Sequence, residues 1–148
     1  MKQNSINGFT EHQIFQLYAY IVAYEDGGIQ NYKSTKVLLE DHPELNEIIQ
    51  TYNWVSYKKA TLPEIKNADF KNFENKILMT KCKNNLLLSF LAHLRNSIAH
   101  GNAVEFNGKV LITNFANPRF CPTCITARGS IELPVFIKLT KILNKIKL

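Results

Sequence analysis

The chain has 148 residues, of which 45% are hydrophobic and nine are Phe, enough apolar material to bury one substantial core, so a single soluble domain spanning residues 1–148 is expected. Fifteen Lys against three Arg, in a formal charge of +6, suit a polyanionic partner without selecting one. No apolar run approaches the roughly 20 residues that a membrane helix requires, and Met1–Asn7 lacks the apolar stretch of a signal peptide, so no membrane partner and a cytoplasmic location with reduced cysteines are expected.

Thr10, with Gln13 three residues on, has the spacing of a capping box, and Ile14, Leu17, Tyr18 and Ile21 then recur on one helical face, which predicts a first helix running to Tyr24. Gly27-Gly28 ends it. A weaker helical patch over Thr35–Glu40 leads to Asp41-His42-Pro43, a cap and first turn for a helix through Tyr52. Trp54, Tyr57 and Lys58-Lys59 follow in a connection; their aromatics either stack on bases beside phosphate contacts or pack beneath a bundle.

After Thr61-Leu62-Pro63, the residues Phe70, Phe73 and Ile77 lead at helical spacing into the apolar run Leu86–Ala99, which predicts one long helix from about Asp69 to His100, kinked near Lys83-Asn84-Asn85. Lys71, Lys76, Lys81 and Lys83 lie along it as a solvated face or as phosphate attractors. Towards its end, Ser89, His93, Asn96 and His100 recur at 4-3-4 spacing as a polar stripe opposite Leu87, Phe90, Leu91, Leu94 and Ile98. Ala92 and Ala99 flank that stripe and leave room for a second helix. Asn96 and His100 share a face, Arg95 stands roughly 140° from His100 and reaches it only with its long arm, and Gly101 is placed to stop the helix.

Leu94-Arg95-Asn96-Ser97-Ile98-Ala99-His100-Gly101 resembles the Arg-x4–6-His signature of the HEPN superfamily, in its Arg-Asn-x-x-x-His form. The resemblance implies a mainly α fold, a helical bundle, and a metal-independent endoribonuclease that acts as a toxin or an anti-phage abortive-infection effector. It also implies a homodimer that shares its active site, an RNA substrate, an antitoxin protein as a further partner, and no cofactor. Under that reading His100 takes the proton of an RNA 2′-hydroxyl, Arg95 holds the charge that grows on the phosphorane oxygens, and Asn96 orients His100 or binds a phosphate oxygen. His93, Lys81 and Lys83 are the candidate RNA contacts, and the twofold contact is expected along Ser89, Ala92, Asn96 and Ala99. Relatives that have lost activity leave a second reading open, a non-catalytic module binding RNA, a nucleotide or a protein. Control by a partner that modifies a tyrosine after the motif is unsupported, because Asn102-Ala103-Val104-Glu105-Phe106 holds none.

Beyond Gly101, Val104-Glu105-Phe106 and Val110-Leu111-Ile112 flank Asn107-Gly108, the pattern of a small β-hairpin appended to the motif helix. Residues 114–133 read as irregular, with turns at Asn117-Pro118, Cys121-Pro122 and Gly129. Pro134 then opens a last helix with an apolar stripe of Val135, Leu139, Ile142, Leu143 and Ile146. Cys121-Pro122-Thr123-Cys124 is half of a tetrahedral zinc site, a redox dithiol or an inert pair, and no second metal pair follows. Phosphate-binding glycine loops, His-Glu-x-x-His and a serine nucleophile elbow are all missing from the sequence.

Overall fold

The computed structural model describes residues 7–31, 35–51, 53–57, 65, 67, 69–80, 86–115 and 125–146. Helix α1 (Glu11–Asp26) starts on the expected capping box, with Thr10 accepting from the Gln13 amide and the Gln13 side chain returning to the Thr10 amide. After the 3-10 turn Gly28–Asn31 come α2 (Thr35–Asp41), α3 (Pro43–Thr51) and strand β1 (Asn53–Tyr57). Beyond a 3-10 turn at Phe70–Asn72, the chain forms β2 (Lys76–Thr80), α4 (Leu86–Ala99), β3 (Val104–Phe106), β4 (Lys109–Phe115), β5 (Ile125–Glu132) and α5 (Leu133–Lys145).

These strands make one five-stranded sheet in the order β1-β2-β5-β4-β3, parallel between β1 and β2 and antiparallel elsewhere. The fold is therefore mixed α/β, which corrects the expected mainly α bundle with a small appended hairpin. The hairpin itself forms, with Asn107 and Gly108 both at positive φ (51° and 78°) as a type I′ turn demands, but it is the edge of a larger sheet. The predicted helix from Asp69 to His100 is also corrected: β2 occupies Lys76–Thr80, and only Leu86–Ala99 is helical.

The reason lies in how the sheet is covered. Ile77 and Met79 face the main core with α1, α4 and α5, whereas Leu78 joins Ile65 and Ile125 in a smaller cluster against Phe73. A strand buried on both faces shows three consecutive apolar residues and no alternation, so its sequence does not separate it from a helix. Gly129, expected at a turn, lies mid-strand opposite Ile77, where a Cβ would come within 2.4 Å of the Lys76 carbonyl oxygen. Its value is the close approach of β2 and β5.

Helix α1 lies against both α4 and α5. Tyr20, fully buried, packs on Phe136 at 5.4 Å between ring centroids and donates its hydroxyl to the Leu91 carbonyl over 2.8 Å, which pins α1 to the motif helix. Of the face expected from periodicity, Leu17 is buried and Ile14 and Ile21 pack against the core, whereas Tyr18 is exposed; Tyr20, Ala23 and Tyr24 complete the buried side. At the far end the Gly28 amide donates to the Ile146 carbonyl over 2.7 Å, tying α1 to α5.

Candidate functional site

Helix α4 ends in a Schellman motif. Gly101 takes φ +75°, its amide donates to Ile98 O at 3.1 Å, and the Asn102 amide donates to Ser97 O at 2.8 Å. His100 is thus the last residue of the cap, exposed, with its amide still bonded to Asn96 O at 3.0 Å. The loop beyond it is tied down by the start of the described chain. Asn7 Nδ2 donates to the carbonyls of Gly101 (2.9 Å) and Ala103 (3.1 Å), and the Glu105 amide donates to Asn7 O (2.9 Å). Sequence separation of more than 90 residues hid this clamp.

Arg95 leaves the helix one turn earlier and is held from two sides. Its Nε donates to Glu25 Oε1 at 2.8 Å, its Nη2 donates to the same oxygen, and its Nη1 donates to Asn96 Oδ1 at 3.1 Å. The Arg95 side chain is 31% exposed and that of Glu25 44%, so the pair is worth about 0–1 kcal/mol to the fold and matters more for where it puts the guanidinium. Asn96, by accepting from Arg95, leaves its amide donors turned to other partners, and it shares the helix face of His100. The structure therefore joins Glu25, Arg95 and Asn96 in one hydrogen-bonded row, with His100 one turn on at the open helix end. Arg95, Asn96 and His100 are the residues expected from the sequence, and Glu25, which sits 70 residues from Arg95 on another helix, is added to them by the fold.

Only the C-terminal half of the polar stripe on α4 reaches solvent, with His100 exposed and Asn96 half-buried. Ser89, His93 and Ser97 are buried, Ser97 Oγ accepting from the Thr113 amide of β4 at 3.2 Å. His93, expected as an RNA contact, is corrected to an interior residue bridging the sheet. Its Nε2 lies 2.7 Å from the Thr80 carbonyl and so carries the proton, which leaves Nδ1 to accept from Asn114 Nδ2 at 2.9 Å. Ala92 is buried in the same core, so the contact surface expected along Ser89, Ala92, Asn96 and Ala99 is closed over its first half. Lys81, Lys83, Cys121 and Cys124 lie outside the described residues. Among the described residues no group of three or more His, Cys, Asp or Glu is placed to hold a metal ion.

Burial pushes the His93 pKa below its ordinary 6.5, with the bond to Thr80 opposing in part. On acidification the unfolded chain then takes up this proton before the folded one does. The stability that neutral His93 confers is fully present above pH 6.5 and is lost as pH falls from there towards the lower folded value. Thermal unfolding followed from pH 7.5 to 5 is expected to show a falling midpoint, and the fall should be shallower in His93→Gln, which cannot titrate. Equal slopes in the two proteins would count against this account.

Next to the site, Tyr18, Leu17, Ile98 and Gly101 line part of a shallow cavity of about 90 Å³. Alongside it α1 exposes Phe15, Tyr18 and Val22, at 65%, 59% and 55%, spaced 3 and 4 apart on one face. Together they give α1 an exposed apolar face beside the motif helix.

Residues 12–142 match the HEPN pEK499 p136 family, a span that runs from the first turn of α1 into α5 and includes Glu25, Arg95, Asn96 and His100. Comparison with curated proteins and with solved structures finds no match.

Proposed function

This chain belongs to the HEPN superfamily, and from that premise we propose that it is a metal-independent endoribonuclease, serving as a toxin or an anti-phage effector held in check by an antitoxin protein. The observation that carries the reading is the grouping of Arg95, Asn96 and His100 at an exposed, rigidly capped helix end, with the guanidinium already bonded to its neighbour. Imidazole is the side chain suited to take up and give back a proton in the course of a reaction. An imidazole nitrogen of His100 removes the proton of a ribose 2′-hydroxyl, and the 2′-oxygen attacks the adjacent phosphorus. The bond from phosphorus to the 5′-oxygen breaks, that oxygen takes a proton from an imidazolium, and the products are a 2′,3′-cyclic phosphate and a 5′-hydroxyl. Arg95 donates to the phosphorane oxygens as their charge grows.

A purified preparation incubated with single-stranded RNA in EDTA is expected to yield the cyclic phosphate end, and DNA of the same sequence should stay intact because it lacks the attacking hydroxyl. No cleavage at stoichiometric enzyme would refute the reading.

One imidazole does not readily serve as base and acid in a single step, and each chain carries one motif histidine. A second copy supplies the other. With Ser89 and Ala92 buried, the surface available for it combines the open end of α4 with the exposed Phe15, Tyr18 and Val22 of α1. Val22→Glu puts a charge into that contact at a solvent-facing site, where the monomer tolerates it. It is expected to sediment as a monomer and to cleave RNA about 10²-fold or more slowly, the share of one proton-transfer partner. A dimeric or fully active Val22→Glu protein would exclude this surface.

A further inference from the structure

We infer that Glu25 is a positioning residue for the reaction, acting through Arg95; the inference rests on the ribonuclease reading for its kinetics and on geometry alone for its structural part. Arg95 projects from α4 on a side remote from His100, and an arginine left free spends its reach among many rotamers, whose loss opposes its ordering. Here that ordering is done before substrate arrives. Glu25 Oε1 takes Nε–H and one N–H of Nη2, Asn96 Oδ1 takes one N–H of Nη1, and one N–H on each terminal nitrogen is left for a phosphate.

The support beneath Glu25 is rigid. It stands in the last turn of α1, between the Tyr20 hydroxyl anchored on Leu91 of α4 and the Gly28 amide anchored on Ile146. Gly27, between them, lies so close to the Ala23 carbonyl oxygen that a Cβ would come within 2.4 Å of it. A carboxylate in this place also has an electrostatic consequence, since it adds a negative charge beside the position of an incoming polyanion. Binding and chemistry therefore respond to its loss in opposite directions, which a residue serving only the fold does not produce. Removing the charge favours RNA association, while releasing the guanidinium slows the chemical step.

The test compares Glu25→Ala and Glu25→Gln with the wild type and with His100→Ala, on a single-stranded RNA and by NMR of the arginine Nε–H groups. Glu25→Ala is expected to lower kcat by about 10²-fold, the scale of a misplaced catalytic group, with KM unchanged or lower. Glu25→Gln, whose amide oxygen still accepts from Arg95, should fall between. The Arg95 Nε–H resonance should be protected from exchange in the wild type and in His100→Ala, and lost in Glu25→Ala. A wild-type kcat in Glu25→Ala, or a KM rising with kcat unchanged, would overturn the inference while leaving the ribonuclease reading intact. If the wild type cleaves no RNA, that reading fails instead, and the Nε–H signal decides on Glu25: unchanged protection in Glu25→Ala excludes the positioning role.

Discussion

His100→Ala is expected to lower RNA cleavage by about 10²–10⁴-fold, the range for a positioned proton-transfer group, without a change in thermal midpoint. The two halves of that result have separate causes. The ring is exposed at the helix end, and the backbone bonds that cap α4 run from the amides of His100, Gly101 and Asn102, all of which alanine at position 100 retains. Loss of activity in a protein of unaltered stability therefore isolates the imidazole. In a twofold assembly the substitution removes both proton carriers together, and a heterodimer of wild-type and His100→Ala chains keeps only one, so the activity of mixed chains should fall below the linear average. An unimpaired His100→Ala protein would dismiss the motif as the seat of the chemistry.

The second large effect concerns the fold. Gly129→Ala is expected to destabilise the protein by about 3 kcal/mol, at the upper end of what an overpacked interior position costs. The added carbon would sit 2.4 Å from the Lys76 carbonyl oxygen and 2.8 Å from the Ile77 Cα, both backbone atoms that move only if β2 and β5 part. Were residues 114–133 the irregular segment that their composition implies, the same substitution would be neutral or would stabilise by restricting the unfolded chain. Urea unfolding separates the cases, and a change below about 0.5 kcal/mol would speak against the pairing of these strands.

What could be read in the sequence was local. The Thr10–Gln13 box, the Asn107-Gly108 turn, Pro134 at the head of α5 and the Gly101 stop each depend on a few adjacent residues, and each is found in place. The strands β2 and β5 are hidden in the sequence because their character comes from burial on two faces. Ile77-Leu78-Met79 carries no alternation to read, and a glycine in β5 passes for a turn. Within the stripe Ser89, His93, Asn96, His100 the burial of His93 is not legible, because its partners Thr80 and Asn114 come from a sheet that the sequence does not announce. In the site itself, the three residues of the motif were visible as a cluster along one helix. Glu25 was not, since nothing in its neighbourhood on α1 distinguishes it from Asp26 except the arginine that another helix brings to it.

The place of β5 bears on when the motif helix is held in position. It lies between β2 and β4, so neither flank of the sheet joins the other until residues 125–132 are in position. A ribosome delivers the chain from its N-terminus at about 5–20 residues per second, and the motif of α4 therefore emerges before the strand that fixes its neighbours β2 and β4. The sheet contacts that seat His93 and Ser97, and with them the angle of the helix carrying His100, wait on that late arrival. Under the ribonuclease reading, a nascent chain carries Arg95 and His100 before the sheet has fixed the helix that bears them, and cleavage waits on the completed fold.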